Sequence, residues 1–118
     1  MTTHTDRELL ELAAKAAGYL PYGIFGKGLL VVVGVGTVKQ NAFPFDPFND
    51  DSLALRLAVK LGMLVDCDEV LQEVEVVLVM RGHDDDYVRM SEKYGHDPYA
   101  ATRRAIVRAA AEIGGIAP

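Results

Sequence analysis

Hydrophobic and polar positions change period several times along the 118-residue chain, and each change marks an element. In "TDRELLELAAKAAG", Leu9, Leu10, Ala13, Ala16 and Ala17 recur at three–four spacing, which predicts an amphipathic helix. Thr5 with Glu8 three residues later has the form of a capping box, and Gly18 is a natural stop. "YLPYGIFGKGLLVVVGVGTV" reads as a hairpin turning at Gly26-Lys27-Gly28, with Pro21 placing its first strand at an edge. Leu29, Val31, Val33 and Val35 share one face of the second strand, and Leu30, Val32 and Val38 share the other. Both faces are apolar, so both are expected to be covered.

Helical period returns in "NDDSLALRLAVKLG", where Asn49, Asp50 or Asp51 can cap and Gly62 ends the helix. Leu53, Ala54, Leu57, Ala58 and Leu61 point inward, and Arg56 and Lys60 point out. "MLVDCDEVLQEVEVVLVMR" reads as a second hairpin turning near Asp68-Glu69. Its last strand is expected to begin half exposed and end buried on both faces. "GHDDDYVRMSEKYGH" reads as a polar connection with room for one helical turn at Tyr87–Met90. The last helix starts at the Asp97 cap with Pro98 in first position, and Gly114 is expected to end it. The expectation is therefore a single α+β domain over residues 1–118, ordered α-β-β-α-β-β-α. Its architecture is a three-layer α-β-α sandwich around one four-stranded, largely antiparallel sheet.

One stretch resists this scheme. "NAFPFDPFNDD" holds Phe43, Phe45 and Phe48, three of the four phenylalanines, between prolines and next to an acidic cluster. Phe45 and Phe48 are expected to form a plug that folds back on the sheet edge and fixes the entry to the following helix, like an enlarged hydrophobic staple. Phe43 is expected to be the exposed contact.

Charge sharpens the picture. Residues 41–92 carry four basic and twelve acidic groups, while the flanking segments are slightly positive, within a total of −5. The carboxylates gather in expected turns: Asp46, Asp50 and Asp51, then Asp66, Asp68 and Glu69, then Asp84, Asp85 and Asp86. Such a field repels nucleic acid and attracts basic partners. The Arg103, Arg104 and Arg108 strip reads as a solvated helix face. One cysteine excludes an intrachain disulfide, and the longest apolar run is too short to span a bilayer as a helix. The polar start "MTTHTDREL" lacks an apolar signal core, so a cytoplasmic location is expected.

Candidate chemistry is sparse. "VGVGTVK" lacks the third glycine of a dinucleotide fingerprint and leads into a loop, not a helix. His83 with Asp84–Asp86, and His96 with Asp97, match no metal-ligand spacing. Cys67 is flanked by Asp66 and Asp68, the wrong surroundings for a thiolate nucleophile. Neither an enzymatic activity nor a cofactor is expected.

Two segments carry a resemblance. "FDPFNDDSLALRLAVKLGM" resembles the phage ABA-sandwich family, whose members typically carry an aromatic-Asn/Asp-Pro-Leu-x-Asp-Asp motif leading into an Ala-Leu-Arg-Leu-Ala-Val-Lys-Leu helix. The match falls on Phe45, Asp46, Pro47, Phe48, Asp50 and Asp51, then Ala54 through Leu61. "HDPYAATRRAIVRAAAEIGG" and "TDRELLELAAKAAG" are similar to the family's terminal helices. Phe45 stands where tryptophan is usual, and Leu53 where a polar residue is common. The resemblance implies helix–sheet–helix layers and a phage protein acting in the host cell, but no reaction.

In that setting the leading expectation is a counter-defence inhibitor of anti-CRISPR type. It would bind a host protein or ribonucleoprotein complex, without binding nucleic acid directly and with a homodimer possible. Phe43, Asp46, Asp50, Asp51, Asp84, Asp85, Asp86 and Tyr87 are the candidate contacts, the acids for steering and the aromatics as anchors. Two alternatives stand beside it. One is a sponge for a host nucleotide messenger, with Arg103 or Arg104 beside Gly34 and Gly36. The other is an accessory phage protein that self-assembles.

Overall fold

A computed structural model describes residues 4–25, 28–33, 42–79 and 87–116. Among the described residues, three helices and six strands follow one another as α1 (Asp6–Ala16), β1 (Tyr19–Phe25), β2 (Gly28–Val33), β3 (Phe43–Phe45), α2 (Asp51–Leu61), β4 (Leu64–Asp68), β5 (Glu73–Val79), β6 (Tyr87–Lys93) and α3 (Pro98–Ile116). The strands form two three-stranded antiparallel sheets, β1-β2-β3 and β4-β5-β6. The α+β class and both hairpins are as expected. The single four-stranded sheet is not what forms: the two hairpins lie in separate sheets, and each gains a third strand.

Both extra strands lie in segments that read as loops. β3 is the Phe-Pro-Phe of the aromatic stretch, pairing Leu29 with Phe45, Leu30 with Pro44 and Val31 with Phe43. It is an edge strand, so Pro44 can sit in the sheet at little cost. Gly28 admits this pairing: a Cβ there would lie 2.7 Å from both the Phe45 carbonyl oxygen and Asp46 Cβ. β6 replaces the helical turn expected at Tyr87–Met90 and runs antiparallel to β5 along its whole length. Pro21 lies on the edge strand β1, as expected, beside a register shift between Pro21 and Gly23.

The centre of the molecule is a helix rather than a sheet. On α3, Ala101, Ala105, Ile106, Val107, Ala109, Ala110 and Ala111 are all buried, an arc far wider than one amphipathic stripe. Around α3 pack α1, α2 and the inner face of the β4-β5-β6 sheet, while α1 also covers β1 and β2. Tyr99, which shares the three–four spacing of Thr102, Ile106, Ala109 and Ile113, is exposed. Apolar residues from all three helices and both sheets join one buried cluster.

Gly114 does not end α3, which continues to Ile116. A Cβ at Gly114 would stand 1.9 Å from the Leu12 carbonyl oxygen, so this glycine is where the backbones of α1 and α3 touch. The other helix signals act as read. Thr5 and Glu8 form the capping box, Asp50 and Asp97 cap α2 and α3, and Gly62 closes α2 in the left-handed conformation at φ 71°.

Among the described residues, the second sheet is covered on one face only. Val74, Val76, Leu78 and Val88 point to α3 and are buried. The opposite face carries Leu64, Asp66, Glu73, Glu75, Val77, Val79, Tyr87, Arg89, Ser91 and Lys93, in register across the three strands. The expectation that β5 ends buried on both faces fails at Val79, which is exposed. Gly34 and Gly36 lie outside the described residues.

Candidate functional site

The carboxylates before α2 are engaged within the fold. Asp46 accepts from the Asn49 side-chain amide through both oxygens, at 3.2 and 3.0 Å. Asp50 Oδ1 accepts from the Ser52 hydroxyl at 2.7 Å and from the Ser52 and Leu53 backbone N–H groups. These bonds hold the Asp50 carboxyl below the usual range, the Ser52 hydroxyl first and the Leu53 N–H next, with Arg56 the weakest contributor. Asp51 receives Arg103 Nη1 at 2.6 Å, and Arg103 Nε donates to the Phe48 carbonyl at 2.6 Å. Three of the eight expected contact residues therefore build the entry to α2.

The aromatics of the same stretch divide as follows. Phe45 is 1% exposed and Pro47 is fully buried, so the motif is a plug, as expected. Phe48 is half-buried, with the Arg104 guanidinium 5.5 Å from its ring centre. Phe43 is not the exposed contact expected of it. It is half-buried and packs edge-on against Tyr19 at 5.2 Å, and Tyr19 meets Phe45 in the same way at 5.6 Å.

The arginines of α3 are not a solvated strip. Arg103 is 17% exposed and tied to Asp51. Arg104 reaches Asp6 at 3.3 Å and Glu92 at 3.9 Å, and Arg108 also pairs with Glu92. These pairs clamp α3 to α1, α2 and β6. Arg103 and Arg104 are thus each paired with acids. The partners lie on other elements, so helix periodicity alone could not find them.

Two surfaces stand out among the described residues. The first is the open face of the β4-β5-β6 sheet. At one end Leu64, Val79 and Tyr87 keep 65, 69 and 54% of their surface. Cross-strand pairing of Leu64 with Val77 and of Val79 with Tyr87 makes them one patch, and Arg89 lies 5.3 Å from the Tyr87 ring centre. The middle of the face is acidic, with Asp66, Glu73 and Glu75, the latter two paired with Lys93 and Arg89. The β4–β5 turn beyond it exposes Val70 and Leu71 beside Asp68 and Glu69. Five carboxylates over this face and turn meet two cations, Arg89 and Lys93. Asp84, Asp85 and Asp86 precede Tyr87 in sequence and, with His83, lie outside the described residues.

The second surface is a cleft of about 370 Å³ between the first sheet and α2. Tyr19, Phe43 and Phe45 form its aromatic wall, and Leu53 and Leu57 its aliphatic one. Arg56 and Lys60, one helical turn apart, stand at its rim, with Lys60 Nζ 5.6 Å from the Tyr19 ring centre. Helical spacing turns both cations outward, as expected. The spacing of Arg56 and Lys60 was visible, but the aromatic wall facing them was not.

Among the described residues no group of three His, Cys, Asp or Glu side chains could hold a metal ion, and no helix is long and apolar enough to cross a membrane. No family model matches the chain, and neither does any curated protein or solved structure.

Proposed function

We propose that this chain is a phage-encoded, non-enzymatic binding protein that inhibits a host immune effector complex by covering one of its surfaces. The observation that carries this reading is the open face of the second sheet. An uncovered apolar patch, Leu64-Val77-Val79-Tyr87, continues into an acidic band on a rigid three-stranded platform. Apolar anchors inside a polar rim are the anatomy of a protein interface, and an excess of carboxylates selects a basic partner surface. Tyr87 is the expected contact residue on this face, while Asp46, Asp50 and Asp51 lie at the entry to α2. Effectors that grip nucleic acid present basic surfaces of the required sign. The resemblance of the Phe45–Leu61 segment to the ABA-sandwich family supports the phage setting.

Affinity purification from cells with an active defence system tests the reading. The effector complex should co-purify at low salt and leave as ionic strength rises, and Val79→Asp should not retain it. Recovery of the chain with itself alone would instead favour self-assembly.

A further inference from the structure

We propose that the cleft between the first sheet and α2 binds a small aromatic anion of mononucleotide size, its ring against Tyr19 and Phe43 and its charged group between Arg56 and Lys60. At about 370 Å³ the cleft lies at the small end of the range for ligand sites, enough for a one- or two-ring molecule. Its wall is aromatic: Tyr19 and Phe43 are both half-buried and line the cleft, and the buried Phe45 packs edge-on against Tyr19 in the same wall. Flat rings bind such walls by stacking and edge contacts.

The charge at this site runs against that of the whole protein. No carboxylate is among the described residues lining the cleft, although the chain carries a net −5. Arg56 makes no salt bridge or hydrogen bond among the described residues. Its charged neighbour Asp50 is already bound to the N-terminus of α2. Lys60 rests over the Tyr19 ring, a weak exposed contact that an anion would displace. Among the described residues, Arg103 and Arg104, which also lie near α2, pair with Asp51, Asp6 and Glu92. Arg56 and Lys60 are thus the pair left to receive an anion beside an aromatic wall. A guanidinium and an ammonium one helical turn apart can share one phosphate or carboxylate.

The inference does not depend on the counter-defence reading, since the sheet face and the cleft share no residue. A ring bearing an anion could come from a nucleotide or from an aryl phosphate or carboxylate, and calorimetric titration separates them. Adenosine 5′-monophosphate and phenyl phosphate are the two test ligands, with adenosine and inorganic phosphate as half-ligand controls. Saturable binding of either aromatic phosphate, tighter than both controls, is the expected result, and whichever binds tighter names the source. Arg56→Ala or Lys60→Ala should each weaken it by about tenfold, the usual effect of losing one charge-assisted hydrogen bond. Both side chains are exposed, so the variants should keep the wild-type circular dichroism. Phe43→Leu keeps an aliphatic side chain in the wall and should weaken the aromatic ligands without affecting phosphate. The proposal is overturned if neither aromatic phosphate saturates at millimolar concentration, or if a control binds as tightly. It is equally overturned if all three variants bind as the wild type does.

Discussion

Replacing Gly114 by alanine should destabilise the protein, although helix propensity alone predicts the reverse. In a helix interior, glycine to alanine gains about 1 kcal/mol. At Gly114 the new methyl would meet the Leu12 carbonyl oxygen at 1.9 Å, its carbon at 2.7 Å and its Cα at 3.1 Å. Ordinary carbon–oxygen contacts begin near 3.3 Å, so α1 and α3 would have to separate by about 1.4 Å. The atoms in the way are backbone, so no rotamer change relieves the clash. Overpacking of this kind costs about 1–3 kcal/mol, and a backbone clash belongs at the upper end. Net of propensity, the loss is about 2 kcal/mol, a fall in melting temperature of roughly 6–12 °C for a chain of this size. Gly115 is the internal control: it is the next residue, it is exposed, and a Cβ there meets nothing within 4 Å. Gly115→Ala should leave stability unchanged or raise it by about 0.5 kcal/mol, less than the mid-helix value because the helix ends one residue later. Thermal and urea melts of the two variants read the difference directly. Equal or greater stability of Gly114→Ala than of wild type would refute the close α1–α3 contact.

Three further outcomes follow from the same structure. Phe45→Ala should cost about 3–5 kcal/mol in urea unfolding, because a fully buried ring leaves a cavity between the first sheet and α2. Arg103→Ala should cost about 2 kcal/mol by losing a charge-assisted bond to the Phe48 carbonyl and the Asp51 pair, and Arg103→Lys should not restore it, since one ammonium lacks the fork that reaches both acceptors. Stability should hold above the ordinary carboxylate range and fall as pH drops through it. The folded-state pKa values of Glu8 and Asp50 are lowered, by the Thr5 N–H foremost and by the Ser52 hydroxyl foremost, so their contribution is present above the unfolded values and lost below the folded ones. Melts of wild type and Asp50→Asn from neutral to acid pH should show a shallower acid loss in the variant.

Local signals in the sequence carried the helices. The Thr5–Glu8 box, the Asp50 and Asp97 caps and the Gly62 stop act within one turn of the residues they serve, so they could be read. The two missing strands were hidden for different reasons. Phe43-Pro44-Phe45 alternates as a strand should, but Pro44 argues against a strand unless its edge position is known. β6 turns Val88, Met90 and Glu92 inward, and the third of these looks polar until Arg104 and Arg108 are seen to receive it. Gly114 shows the same limit, because a glycine required by a helix 100 residues upstream looks like a helix stop. At the candidate sites, residue types could be read but juxtaposition could not. Asp46, Asp50 and Asp51 looked like a contact surface and are engaged locally or by α3, while Leu64, Val79 and Tyr87 gave no sign of sharing an open face.

The most direct measurement is phage plating on defended host cells that express this chain. Wild type should restore plaque formation, and so should Arg56→Ala, which leaves the sheet face intact. Val79→Asp, which places a charge in the exposed apolar patch without touching the core, should abolish protection at unchanged protein level. Absence of protection by wild type, or full protection by Val79→Asp, would contradict the assignment of the open sheet face as the inhibitory surface.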